Sequence, residues 1–145
     1  MKLLIISCLV FASVVSEANV SALNLDQYKG KVVYVDFWAS WCGPCKESFP
    51  WLNKMVDKYP EVVFLGVNLD KEKADAESFL TENPAKFKII FNPAGSIAEQ
   101  FEVKGMPYSV LINSSGQTKH PHIGFNKQKT SEYEAQLKSL LGEAK

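Results

Sequence analysis

One stretch constrains this chain more than any other: a run of β-branched and aromatic residues that leads straight into a pair of cysteines. Residues Lys31–Trp38 have the composition of a buried strand. Gly43 and Pro44 separate Cys42 from Cys45, and proline is well suited to the first turn of a helix. We therefore expect the cysteine pair to lie where the carboxyl end of a strand meets the amino end of a helix.

The rest of the chain alternates between strand-like and helix-like segments. Helices are predicted over about 43–59, 71–81, 93–101 and 128–141, and further strands over 61–69, 86–91, 108–112 and 117–123. Pro121 favours an edge position for the last strand, because proline has no N–H to donate. This order predicts an α/β fold with a mixed central sheet and helices on both faces.

The first residues have the pattern of a secretory signal peptide. Lys2 is followed by an apolar run over 3–15, which is shorter than the roughly 20 residues of a membrane span. Ser16 and Ala18 are small residues at the −3 and −1 positions of a possible cleavage site. We expect removal of residues 1–18, which include Cys8, one domain over 19–145, and a periplasmic or otherwise exported location. An uncleaved membrane anchor is the alternative.

Charge and composition exclude some classes of function. The 16 basic residues are all lysine and are balanced by 16 acidic residues, with no basic stripe, so nucleic acid is not an expected partner. A metal site normally needs four ligands, and beyond the cysteine pair only His120 and His122 remain as typical ones. A covalent haem site needs histidine directly after the second cysteine, where this chain has Lys46.

Redox chemistry is the interpretation of the cysteine pair that the residues favour. A disulfide that closes so short a loop removes little entropy from the unfolded chain, so a purely structural bridge gains little. The amino end of a helix carries partial positive charge, which favours a thiolate at Cys42. We predict that Cys42 attacks a substrate sulfur and that Cys45, one turn later, resolves the mixed disulfide.

Several motifs together resemble the thioredoxin superfamily over about residues 25–141. They are Asp36, Trp38, Trp41-Cys42-Gly43-Pro44-Cys45-Lys46, Pro50, Gly105-Met106-Pro107 and Gly124. The resemblance implies a thioredoxin fold in which the bond before Pro107 is cis and faces the cysteines. A helix and a strand inserted between Asp70 and Pro107 are typical of the exported TlpA-like and ResA-like branch. Ser48 departs from that branch, which usually has glutamate there.

Asp36 lies in the middle of the apolar run, at the place of thioredoxin's buried acid. The resemblance puts Gly66 where thioredoxin has the lysine partner of that acid. With no obvious counter-ion, burial should raise the pKa of Asp36. We predict that Asp36 exchanges a proton with Cys45 through water. The alternative is an acid that reaches solvent or caps a backbone group.

The residues around the cysteines predict a surface for an extended substrate. A cis bond at Pro107 would place the backbone of Met106 beside Cys42, where an incoming chain can pair with it. The exposed substrate-binding surface is predicted to comprise Trp41, Gly43, Pro44, Met106 and Tyr108, with Phe125 as a further candidate.

The Gly43-Pro44 dipeptide matches that of thioredoxin, which favours a reductant of protein disulfides. The resemblance implies a membrane electron donor of the DsbD or CcdA type and exported disulfide-containing substrates, with apocytochrome c as one candidate. No cofactor is implied, and we expect a monomer; the isomerase interpretation is less favoured because the sequence lacks the dimerisation domain of exported isomerases. A disulfide oxidant or isomerase, and a redox-idle peptide-binding module, are the alternatives.

Overall fold

The computed structural model describes residues 22–144, so the predicted leader over 1–18 lies outside the described residues. Strands and helices alternate through this range. In chain order they are β1 Val33–Trp38, α1 Cys45–Lys58, β2 Val63–Asn68, α2 Lys73–Glu82, β3 Lys88–Phe91, α3 Ser96–Gln100, β4 Tyr108–Ile112, β5 Thr118–Ile123 and α4 Thr130–Glu143. The order is the predicted one, and α2 and β3 form the segment expected between Asp70 and Pro107. Helix α1 begins two residues later than predicted.

The strands form one mixed sheet in the order β3-β2-β1-β4-β5. β1, β2 and β3 are parallel, whereas β4 runs antiparallel to both β1 and β5. β1 is therefore the central strand, and β5, which contains Pro121, lies at an edge as predicted. Because β1 is covered on both faces, all six of its residues are buried, which explains its continuous apolar run.

Two buried layers lie on opposite faces of the sheet. Alternation along β1 sends Tyr34 and Trp38 to the layer that also contains Cys45. Val35 and Phe37 point to the other layer, which α3 covers through Ile97. The first layer is completed by side chains of α1, α2 and α4, among them Phe49, Phe79 and Leu137. Helices on both faces of a mixed sheet confirm the predicted architecture.

Between residues 22 and 144, the structure has no helix that combines the length and the apolar character needed to cross a membrane.

Candidate active site

The cysteine pair is a disulfide bond at the start of α1. Cys42 and Cys45 are joined with their Cα atoms 5.4 Å apart. Cys42 retains 5% of its surface exposed, whereas Cys45 is fully buried. Cys42 is therefore the cysteine that a substrate can reach, and Cys45 is shielded behind it.

The backbone places Cys42 at the positive end of α1. The amide of Cys45 donates to the Cys42 carbonyl at 3.2 Å, and two further bonds of the same spacing follow from Lys46 and Glu47. This tight turn extends the axis of α1 back to Cys42. A thiolate at Cys42 would thus lie where partial positive charge is concentrated. Behind it, the Ser48 hydroxyl donates to the Cys45 carbonyl at 3.0 Å. Ser48 is buried, so this position beside the cysteines has a hydroxyl group and not an acidic side chain.

A buried carboxyl group holds the loop that precedes Cys42. Asp70, 1% exposed, accepts hydrogen bonds from the Ser40 amide at 2.9 Å and from the Ser40 hydroxyl at 2.7 Å. The Asn68 side chain donates a third bond at 2.7 Å. The sequence prediction missed Asp70 as a site residue. A run of polar residues directly after a buried strand was the available signal.

Asp36 is a buried acid without a partner. It is 4% exposed and forms no hydrogen bond or ion pair with any part of the chain that the structure describes; its Oδ2 atom is fully enclosed. Burial alone raises its pKa well above the ordinary value. The direction of the pKa shift is the predicted one, and Asp36 caps no backbone group among the described residues; the proton exchange with Cys45 stays a prediction. Its side chain shares a layer with Cys45, because it alternates with Tyr34 and Trp38.

Gly66 explains why no described residue supplies a counter-ion beside Asp36. The two residues are direct partners in the β1–β2 register. A Cβ atom at Gly66 would lie 2.7 Å from a ring carbon of Phe87 and 3.1 Å from the indole nitrogen of Trp38. Those distances leave no room for a lysine side chain, so the side chains of Phe87, Ile89 and Trp38 fill the position that the resemblance assigned to the partner.

The Met106–Pro107 peptide bond is cis, as the resemblance predicted. Tyr108 pairs with Phe37 in the β1–β4 register, so Pro107 lies beside the end of β1, from which the cysteine loop departs. The Pro107 carbonyl accepts a hydrogen bond from the Gly124 amide at 2.7 Å. Met106 is half-buried and packs against both layers.

The predicted substrate surface is only partly exposed. Trp41 is 70% exposed, and Gly43 and Pro44 are exposed as well. Tyr108 is 8% exposed, and its ring packs on Phe37 in the layer opposite to Cys45. Its inclusion in an exposed rim was therefore wrong, because alternation along β4 turns it to the other face.

Two further apolar side chains, Phe125 and Ile123, are at least partly exposed. Phe125 is half-buried and contacts Trp51, with ring centroids 6.0 Å apart. Ile123 is 75% exposed and was not predicted. A Cβ at Gly105 would lie 3.8 Å from its Cγ2 atom, so Ile123 flanks the loop that contains Pro107. Sequence alone could not show this proximity, since it depends on the pairing of β5.

Comparison with known proteins adds independent findings. The model of the redoxin family matches residues 11–137. The thiol-disulfide oxidoreductase ResA of Bacillus thuringiensis subsp. konkukian (strain 97-27) is 29% identical over 106 residues, which are 72% of this chain. The chain spans 61% of the length of that curated relative.

Two solved structures are similar to the chain along most of its length. One is a putative thiol:disulfide interchange protein DsbE from Chlorobium tepidum, 43% identical, with a TM-score of 0.79 over 82% of this chain and 86% of that one. The other is the exposed lipoprotein thioredoxin Etrx1 of Streptococcus pneumoniae strain TIGR4, 29% identical, with a TM-score of 0.67 over 81% and 89%. The matches confirm the thioredoxin fold and the resemblance to ResA-like proteins.

Proposed function

The chain belongs to the redoxin family, and we propose that it is a thiol-disulfide oxidoreductase that reduces disulfide bonds of exported proteins. The observation that carries this proposal is the Cys42–Cys45 disulfide at the amino end of α1. Its accessible member is Cys42 and its enclosed member is Cys45. Such an asymmetric pair suits one nucleophile and one resolving thiol.

The reaction consists of two exchanges. In the dithiol form, the Cys42 thiolate attacks one sulfur of the substrate disulfide, a mixed disulfide forms, and the other substrate sulfur leaves as a thiolate. Cys45 then loses its proton and attacks Cys42, which releases the second substrate sulfur. The substrate gains two electrons and two protons, and the Cys42–Cys45 disulfide is restored. A dithiol donor must then reduce the enzyme again.

Asp36 is the base proposed for the second exchange. Cys45 is fully buried, so its proton needs an acceptor inside the protein. Asp36 lies in the same layer, and its raised pKa brings its proton affinity closer to that of a thiol than an ordinary carboxyl group would have. We propose that a water molecule carries the proton between them.

The residues between the cysteines support the reducing direction. Gly43 and Pro44 bring neither a histidine nor a cation to the Cys42 sulfur, and strongly oxidising sites are those in which the reduced form is stabilised. The partial charge of α1 acts on Cys42 without a further positive side chain inside the motif. We therefore propose a reductant, fed by a dithiol of a membrane electron donor of the DsbD or CcdA type.

Export of the protein is part of the proposal. The Lys2 residue and the apolar run over 3–15 support secretion. The Streptococcus pneumoniae relative is described as an exposed lipoprotein. We propose that cleavage before Asn19 releases the protein into the periplasm or an equivalent space, where apocytochrome c is one candidate substrate. The intact mass and amino-terminal sequence of the exported protein test the cleavage site.

Insulin reduction by dithiothreitol is the test of the activity. The protein without its leader should accelerate the reaction, and Cys42→Ser should abolish the acceleration. Cys45→Ser should accumulate a mixed disulfide with the substrate, because Cys42 attacks but no second thiol resolves the mixed disulfide. If the unaltered protein does not accelerate the reaction, the remaining interpretation is a peptide-binding module without redox activity. Net formation of disulfides in a reduced test protein would instead indicate an oxidant.

A matched pair of peptides tests the substrate class. An oxidised C-x-x-C-H peptide, the haem-attachment sequence, is compared with the same peptide in which histidine is replaced by alanine. Faster reduction of the first peptide supports an apocytochrome substrate. Equal rates would contradict that substrate and leave the general reductase activity standing.

A further inference from the structure

A hydrogen-bonded chain of side chains crosses the sheet from β1 to α4. The Tyr34 hydroxyl donates to the Ser109 hydroxyl oxygen at 2.9 Å. Ser109 Oγ lies 3.2 Å from Nδ1 of His122, and Nε2 of His122 lies 2.7 Å from Oε1 of Gln136. Tyr34 and Ser109 are buried, whereas His122 and Gln136 are half-buried. The chain thus links the interior of the first layer to the surface.

The direction of this chain follows from its last member. The Gln136 Oε1 atom can only accept, so Nε2 of His122 must carry a hydrogen. In a neutral imidazole the other nitrogen, Nδ1, is then an acceptor. It can bond to Ser109 only if the Ser109 hydroxyl donates to it. Since Tyr34 donates to Ser109, every hydrogen in the chain points away from β1 and toward α4.

Ser109 is also the direct neighbour of Asp36. The two residues are partners in the antiparallel β1–β4 register, and their side chains share one face of the sheet. Cβ atoms of such partners lie about 4.5–5.5 Å apart, a separation across which a serine hydroxyl can reach a carboxyl oxygen. Asp36 nevertheless accepts no hydrogen bond from Ser109 or from any other described group, and its Oδ2 is enclosed. The Ser109 donor is turned the other way, to His122.

The surroundings of His122 lower its pKa, which favours the neutral imidazole. Burial lowers its pKa, while the hydrogen bond to Gln136 opposes that effect. His120 on β5 and Lys129 before α4 also lower the pKa, and Glu132 on α4 raises it. The Tyr133 ring lies against the imidazole with centroids 4.6 Å apart. A cavity of about 560 Å³ between β5 and α4 borders this group of residues.

We propose that His122 is a positioning residue for Asp36: by accepting the Ser109 hydroxyl at Nδ1, it keeps that donor away from the carboxyl group. Asp36 then remains a buried acid without a hydrogen-bond donor. A carboxylate gains stability from each donor it accepts, and a donor would therefore weaken it as a base. The inference deepens the proposed function, on which it rests, because the base for Cys45 is the group that His122 protects.

Protonation of His122 would release the Ser109 hydroxyl from Nδ1. An imidazolium donates from both nitrogens, so Nδ1 would donate to Ser109 and the Ser109 hydroxyl would be free to turn to Asp36. The same release should follow from any substitution that removes the acceptor. A purely structural role of His122, as a link between β5 and α4, predicts neither change at Asp36.

The tautomer of His122 is the first test, and it needs no substitution. Nitrogen chemical shifts of the His122 ring at pH 7.5 should show hydrogen on Nε2 and a bare, accepting Nδ1. Hydrogen on Nδ1 would overturn the proposal, since Ser109 could not then donate to it.

The pKa of Asp36 is the second test, measured from its carboxyl carbon by NMR in the dithiol form. His122→Phe retains a ring against Tyr133 but has no acceptor. It should lower the pKa of Asp36 by roughly one to two units, the effect that one hydrogen bond to a charged group supports. An unchanged or higher pKa would contradict the proposal. His120→Asn is the matched control, because asparagine tolerates the positive φ of 47° at this position; the Asp36 pKa should not move.

Removal of the donor separates this mechanism from a general effect of the histidine. Ser109→Ala by itself should leave the pKa of Asp36 nearly unchanged. In that background, His122→Phe should no longer lower it; a fall of the same size as before would refute the role of Ser109. These readouts do not use activity. A protein that shows them yet fails to accelerate insulin reduction would refute the proposed function and leave the role of His122 intact.

Discussion

Two buried carboxyl groups, one within β1 and one just after the neighbouring strand β2, have opposite surroundings. Asp70 follows β2 and is 1% exposed, and Asp36 lies in β1 and is 4% exposed. Asp70 accepts hydrogen bonds from Ser40 and Asn68. Asp36 accepts none from the described residues. Similar burial therefore affects the two carboxyl groups differently, and the number of hydrogen-bond donors around each group decides the effect.

The physical reason is whether hydrogen-bond donors replace the water molecules that a carboxyl group loses on burial. A buried carboxyl group that receives several donors recovers much of its lost hydration and fixes the groups that donate. One that receives none keeps the full cost of burying its charge, so its pKa rises and it takes up a proton more readily. Asp70 thus organises the loop before Cys42, whereas Asp36, in the function proposed above, is available for proton transfer.

The largest effect should come from Asp36→Asn. At pH 7 we expect the resolution of a Cys42 mixed disulfide to slow by about 10²-fold, the lower range for a lost general base. The deficit should shrink as the pH rises, because hydroxide removes the Cys45 proton directly. Stopped-flow thiol exchange between pH 6 and 9 measures this, and a rate profile identical to that of the unaltered protein would exclude the relay.

The variant Asp36→Asn should also change the pH dependence of the unfolding free energy, in a direction that follows from the raised pKa of Asp36. The folded pKa of Asp36 is above its unfolded value, so the folded state holds more protons and stability falls as pH rises. This loss is absent below about pH 4 and is complete above the folded pKa. Asp36→Asn should therefore match the unaltered protein at pH 4 and be more stable at pH 8 in urea unfolding. A gap that is constant with pH would contradict the burial argument.

Asp70→Ala should cost about 2–4 kcal/mol of unfolding free energy, since it leaves the donors of Ser40 and Asn68 without their acceptor. Chemical denaturation measures the loss. Asp75→Ala, an exposed carboxyl in the first turn of α2, is the matched control and should change stability little. If both variants lose the same free energy, the contrast between Asp36 and Asp70 has no basis.

Gly66→Ala tests the apolar packing beside Asp36. The new methyl group would meet Phe87 at 2.7 Å and Ile89 at 3.0 Å, so we expect a loss of about 1–3 kcal/mol from overpacking. Gly43→Ala is the control, because nothing lies within 4 Å of its added Cβ. Thermal unfolding of the two variants should separate them by several degrees; equal midpoints would mean that the space beside Asp36 is not filled.

Ser40→Ala should have the smallest effect, about 1 kcal/mol. It removes the hydroxyl bond to Asp70 and keeps the backbone amide bond. Urea titration measures the difference. A loss as large as that of Asp70→Ala would mean that the hydroxyl bond alone fixes the loop and that the amide bond contributes nothing.

Local patterns in the sequence were sufficient for the fold and for the cysteine pair. The apolar run of β1 and the Gly43-Pro44 pair are contiguous, so their consequences can be derived from neighbours in the chain. The polar run after β2 marks Asp70 as a candidate, but its contact with Ser40 could not be derived from sequence, and neither could the contact of His122 with Ser109, because a loop contact or strand pairing brings these residues together. The error at Tyr108 has the same origin, since its face depends on the register of β4 against β1.

The most direct test of the proposed reductase function is the equilibrium reduction potential of the Cys42–Cys45 pair in glutathione or dithiothreitol buffers. For a reductant we expect a value near or below about −250 mV, in the range of thioredoxin. A value of about −120 to −180 mV, where oxidants and isomerases lie, would contradict it and make exported proteins that acquire disulfides the substrates.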